Sequence, residues 1–106
     1  MTTLSEIERA YEAKYSHDQE TNFKVVMRRN KLVGLWAADL MGITDGDAEA
    51  YAREVIESDF EAPGHDDVVQ KVFKDLTAKG VDTSEHIVLR TMDELLVKAK
   101  EQILAE

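Results

Sequence analysis

Leu32 to Met41 read LVGLWAADLM, and apolar side chains in this run fall on nearly every face of a helix. A segment patterned this way is buried on all sides rather than amphipathic. The chain is therefore expected to wrap other helices around it, with Leu32, Leu35, Trp36 and Leu40 as the hydrophobic centre. Gly34 and Asp39 interrupt the run, which falls well short of the roughly 20 apolar residues that a membrane span needs. Gly42 followed by Thr44 and Asp45 reads as a C-terminal cap and then a new N-cap. Asp45, Asp47 and Glu49 complement the dipole of the helix that follows.

Downstream, Ala48, Tyr51, Ala52, Val55, Ile56 and Phe60 keep a spacing of three and four, and this helix ends before Pro63-Gly64. His65 or Asp66 starts a third segment with a stripe of Val68, Val69, Val72, Phe73 and Leu76, stopped by Gly80. Thr83 or Ser84 caps a last helix carrying Val88, Met92, Leu95, Leu96, Ala99 and Ile103. Upstream, Thr3 with Glu6 and Ser5 with Glu8 fit capping-box spacing, so a helix begins near residue 4. Leu4, Ile7, Tyr11 and Tyr15 form a narrow stripe along it. His17 to Asn22 contains only mediocre helix formers, so the helix either frays there or runs on through Phe23, Val26 and Met27. Continuous to Met41, it would measure about 55 Å at 1.5 Å per residue, longer than the rest of the chain could cover.

The composition supports an all-α fold: a four-helix bundle with an N-terminal helical arm extending from the first helix. One Pro and five Gly in 106 residues are few, and helix formers are plentiful. A chain of this length is one domain, here divided into an arm at 1–22, which can be flexible when free, and an acidic bundle at 23–106. The lack of Cys excludes disulfides and thiolate chemistry. The net charge of -9 argues against nucleic acid. Split at residue 30, the charge is uneven: residues 1–30 carry five acids and five bases, and residues 31–106 carry 17 acids and eight bases. The N-terminus has no basic region followed by an apolar core, so a cytoplasmic protein is expected.

Catalytic and cofactor chemistry finds little support. The three histidines are far apart, and there is no phosphate-binding glycine loop and no HExxH pair. A calcium loop starting at Asp45 fails at its sixth and twelfth places, which hold Ala50 and Ile56. Asp66-Asp67 and Asp93-Glu94 read as dipole partners or solvated faces, and His65 as a loop or cap residue. The chain is not expected to be an enzyme, to hold a metal or to use a cofactor. Arg28, Arg29 and Lys31 make a short basic patch. It is either a solvated face paired with the acidic body or a contact for a phosphate or an acidic partner. The arm can fold back or dock on another protein, since anchors three and four residues apart suit helix-in-groove recognition and Tyr is enriched at hot spots.

As a whole the sequence resembles the zeta subunit of the α-proteobacterial F-type ATP synthase, a family of small natural inhibitors. The most specific segment is RRNKLVGLWAADLMG, Arg28 to Gly42, supported by AEAYAREVI (Ala48 to Ile56), Asp59-Phe60, AKGV (Ala78 to Val81), MDELL (Met92 to Leu96) and AYEAKYSHDQE (Ala10 to Glu20). The resemblance implies an arm that inserts at a catalytic αβ interface of the synthase head near γ and blocks ATP hydrolysis, with the body docked outside. The implied partners are the α, β and γ subunits. The implied location is the cytoplasmic side of the inner membrane, reached through the synthase without direct insertion. Inhibitory positions carried over are Leu4, Ile7, Glu8, Arg9, Ala10, Tyr11, Glu12, Lys14 and Tyr15. Ile7 departs from the family pattern, which commonly has Arg there, and implies an apolar contact in place of an ionic one. The alternative reading is a helical nucleotide-sensing bundle in which Arg28, Arg29 and Lys31 receive phosphate.

Overall fold

The computed structural model describes the backbone of residues 4–59 and 66–106 and the side chains of residues 20–59 and 67–106. Among the described residues there are four helices and no strand: α1 Leu4–Leu40, α2 Asp45–Ser58, α3 Asp66–Ala78 and α4 Glu85–Ala105. The molecule measures 63 × 25 × 22 Å. Its length comes from α1, whose 37 residues span about 55 Å at 1.5 Å each. The helix passes through His17–Asn22 without a break.

α1 contacts each of the other three helices, whereas α2 and α4 do not meet. The chain is thus arranged around α1. The turn after α1 sends α2 back down its side, so that Ala52 faces Gly34 and Asp59 reaches Asn30. α4 returns along another side, with Gln102 and Glu106 beside Arg28.

The centre of the core differs from the expected one. Leu32, Leu35 and Trp36 are only half-buried, and Leu40 is 45% exposed. The fully buried positions of this run are Val33, Ala37 and Ala38, joined by Tyr51, Val55, Val68, Val72, Leu76, Val88 and Met92. The reason is steric. A Cβ placed on Gly34 would lie 2.6 Å from the Ala52 Cα, so α1 and α2 are in backbone contact at this level. Such an approach selects small residues for the seam and moves bulky ones to its flanks, where Trp36 packs against the cluster. The seam runs down α1 through Ala37, Val33, Arg29 and Val25, so polar residues continue it. The helix runs on through Phe23, Val26 and Met27, but the Phe23 side chain is 54% exposed.

Each boundary has a local cause. Gly42 and Gly80 take left-handed φ values of +75° and +77°. Each forms a Schellman cap, with Ile43 N–H donating to Ala38 O at 2.8 Å and Val81 N–H to Leu76 O at 3.0 Å. Ile43 and Val81 then pack on the core, coupling the two turns to it. The Ser84 hydroxyl accepts from Ile87 N–H at 3.2 Å and starts α4. Thr44 occupies the N-cap of α2 in extended geometry but makes no side-chain cap bond, and Asp45 beside it has φ +56°. Phe60, Pro63, Gly64 and His65 lie outside the described residues.

Candidate functional site

The carried-over inhibitory positions, Leu4, Ile7, Glu8, Arg9, Ala10, Tyr11, Glu12, Lys14 and Tyr15, all belong to the first turns of α1. Their side chains lie outside the described residues. The helices that cover α1 have 14, 13 and 21 residues, or about 32 Å at most. Among the residues of α1 whose side chains are described, which start at Glu20, Val25 is the first buried one.

The three cations of the basic patch do not share a face. At 100° per residue, positions 28 and 31 lie within about 60° of each other, and position 29 turns away from both. Arg28 turns toward α4, donating to Gln102 Oε1 at 2.9 Å and to a Glu106 carboxylate oxygen at 2.5 Å. Arg29 turns inward and is 3% exposed, donating through Nε and Nη2 to Asn30 Oδ1 at 3.1 and 2.8 Å. Lys31 points to solvent. Desolvation lowers the Arg29 pKa from its ordinary value, opposed by the carboxylates of Asp59 and Asp93. Asn30, 1% exposed, donates from Nδ2 to Asp59 Oδ2 at 3.0 Å. The Arg29–Asn30–Asp59 set therefore ties the end of α2 to α1 in a buried position, where planar guanidinium geometry suits fixed partners.

A different set of cations does converge. Lys24, Arg28 and Lys31 follow i, i+4, i+7 spacing and lie on one face of α1. With Met27, Ile56, Ile103 and Glu106 they line a groove of about 360 Å³ between α1 and the end of α4. Lys24 was not singled out in the sequence, although this spacing carries the signal. Lys24 pairs loosely with Glu20 at 3.8 Å, with both side chains exposed. No carboxylate among the described residues pairs with Lys31.

On the opposite side, α2 and α3 enclose a polar groove of about 660 Å³ lined by Glu54, Glu57, Asp67, Asp75, Lys71 and Lys74, among others. Lys71 bridges Asp75 at 3.1 Å and Glu54 at 3.6 Å, and sits 5.5 Å from the centre of the Tyr51 ring. The Tyr51 hydroxyl donates to Asp75 Oδ2 at 2.8 Å. Burial first, then the hydrogen bond and charge of Asp75 and the charge of Glu54, push the phenol far above its ordinary value. Glu54 and Asp75 share the Lys71 ammonium, and through it and the Tyr51 hydroxyl they join α2 to α3. Glu94 accepts from Arg90 at 3.3 Å on the surface, one turn away. Among the described residues there is no group of three His or carboxylate side chains able to hold a metal, and no helix long and apolar enough to cross a membrane.

A bundle arranged around a first helix that outruns all its partners is a small all-α module that presents one helix. The chain belongs to the ATPase inhibitor subunit zeta family, whose model matches residues 1–102. A solution NMR structure of a protein 43% identical in sequence shares the fold with a TM-score of 0.70, over 78% of this chain and 94% of that one. No curated protein matches the chain.

Proposed function

We propose that this chain inhibits ATP hydrolysis by the F-type ATP synthase. The first turns of α1, with the arm taken as residues 1–22, enter a catalytic αβ interface of the head near γ and block rotation in the hydrolytic direction. The bundle at 23–106 stays outside. The observation that carries this reading is the unbroken 37-residue α1, set against a longest partner of 21 residues, in a member of an inhibitor family. A helix about 10–12 Å across wedged into an interface that must close during turnover stops the cycle by bulk alone. Tyr11 and Tyr15 are of the residue type that anchors such contacts. On this reading the partners are α, β and γ, and the protein is held at the membrane periphery by the synthase.

Addition of the purified chain to the synthase head is expected to suppress ATP hydrolysis. Deletion of residues 1–19 is expected to abolish inhibition while thermal unfolding of the bundle stays cooperative. Unchanged turnover at saturating protein would refute the function, and loss of the fold on deletion would show the arm to be part of the core.

A further inference from the structure

Resting on that reading, the groove where α1 leaves the bundle acquires an occupant of definite chemistry. We propose that the face of Lys24, Arg28 and Lys31 receives an acidic segment of the partner protein. Its carboxylates take the place of Glu106 on Arg28 while an apolar neighbour settles on Met27, Ile56 and Ile103.

Three observations support this. First, the chain carries a net charge of -9 with 13 Lys and Arg, yet three of those cations line one groove within eight residues of helix, Lys24 to Lys31. Such a concentration of positive charge on an acidic protein selects a negative partner. Second, the groove already holds a carboxylate. Glu106 lies 2.5 Å from Arg28, with Gln102 completing the guanidinium's bonding at 2.9 Å. That carboxylate is 58% exposed, and an exposed pair of this kind contributes little stability, so exchanging it for another carboxylate is close to neutral. The choice between occupants then falls to Lys24 and Lys31. Third, the cations are spread over about 10 Å of helix above an apolar floor. This fits a segment with several carboxylates and an apolar side chain better than a single phosphate. The groove also lies level with the start of the bundle on α1, so a protein that takes in the arm brings its rim against it.

The test compares the parent, the double variant Lys24→Glu with Lys31→Glu, and Glu106→Gln for the rate at which each inhibits the synthase head, at low and high salt. Electrostatic steering changes association rates by roughly 10-fold to 1,000-fold. Reversal of both lysines should slow onset at least about tenfold at low salt, with the gap closing at high salt. Glu106→Gln should speed onset several-fold by vacating Arg28. Both lysines are solvent-facing, so unfolding of the double variant should match the parent; if it does not, the Lys→Gln pair replaces it in the same assay. Equal, salt-independent inhibition by parent and double variant would overturn the groove and leave the inhibitor reading standing. Failure of the parent to inhibit would overturn both. Saturable amide shifts at residues 24–31 on adding inorganic phosphate, with inhibition unaffected by charge reversal, would make the groove a simple anion site and overturn the acidic-segment proposal.

Discussion

Replacement of Gly34 by Ala is expected to destabilise the bundle although Ala is the better helix former. The new Cβ would stand 2.6 Å from the Cα of Ala52 and 3.1 Å from its Cβ. Comfortable carbon contacts begin near about 3.5 Å, so α1 and α2 would have to part by about 1 Å, and a gap of that size forfeits roughly a quarter to a half of each neighbouring contact's attraction. The obstacle is backbone, so no rotamer change relieves it. Overpacking of this kind costs about 1–3 kcal/mol, offset by about 1 kcal/mol from removing a helical glycine. The net loss is centred on about 1 kcal/mol and reaches about 2 kcal/mol, and at about 4–8 °C per kcal/mol for a domain of this size the melting temperature falls by about 4–8 °C, and by about 16 °C at most. The control is Gly46→Ala in the first turn of α2, where nothing lies within 4 Å of a new Cβ and no left-handed φ opposes it. That change should stabilise by about 0.4–1 kcal/mol. Thermal and urea unfolding followed by circular dichroism would measure both. A Gly34→Ala protein as stable as its parent would refute the backbone contact between α1 and α2.

Asn30→Ala leaves buried Arg29 and Asp59 without the amide between them and should cost about 2–3 kcal/mol in urea unfolding. Ser84→Ala removes the cap of α4 and should cost about 1 kcal/mol. Of the three tyrosines, Tyr51 should resist ionisation in ultraviolet titration past pH 10, its ordinary value, until the protein unfolds. Because the native state holds this proton while the unfolded state releases it, stability is unaffected below pH 10 and falls as pH rises beyond it. Tyr51→Phe should flatten that alkaline decline.

The helices, the stops of α1 and α3 and the cap at Ser84 were legible because each rests on local chemistry: a three-and-four spacing, a glycine at positive φ, a hydroxyl before an apolar stripe. The centre of the core was not. Reading LVGLWAADLM by side-chain size favours Leu32, Leu35, Trp36 and Leu40, whereas a close helix pair buries what is small, and only the path of α2 reveals that Gly34, Ala37 and Ala38 lie at the contact. Arg29 was placed in an exposed basic patch, and Asn30 beside it was not singled out, for a related reason. Periodicity assigns polar residues to solvent, but these two continue the buried seam because Asp59 and Asp93 arrive from elsewhere in the chain. The basic groove illustrates sequence neighbours against helical neighbours: Arg28 and Arg29 are adjacent in the chain and point apart, while Lys24, four residues away, shares a face with Arg28.

The continuity of α1 also bears on how its first turns become helical. An isolated helix must first close a turn with a nucleation factor of about 0.001, a penalty near 4 kcal/mol, and short segments in water rarely overcome it. Here that initiation step is supplied by the folded bundle, since Val25 to Ala38 are fixed in helical geometry by packing. Each residue toward Leu4 then only has to propagate an existing helix, at a per-residue equilibrium near one. The bundle acts as a permanent template, so the initiation cost of the first turns is already met by the fold behind them.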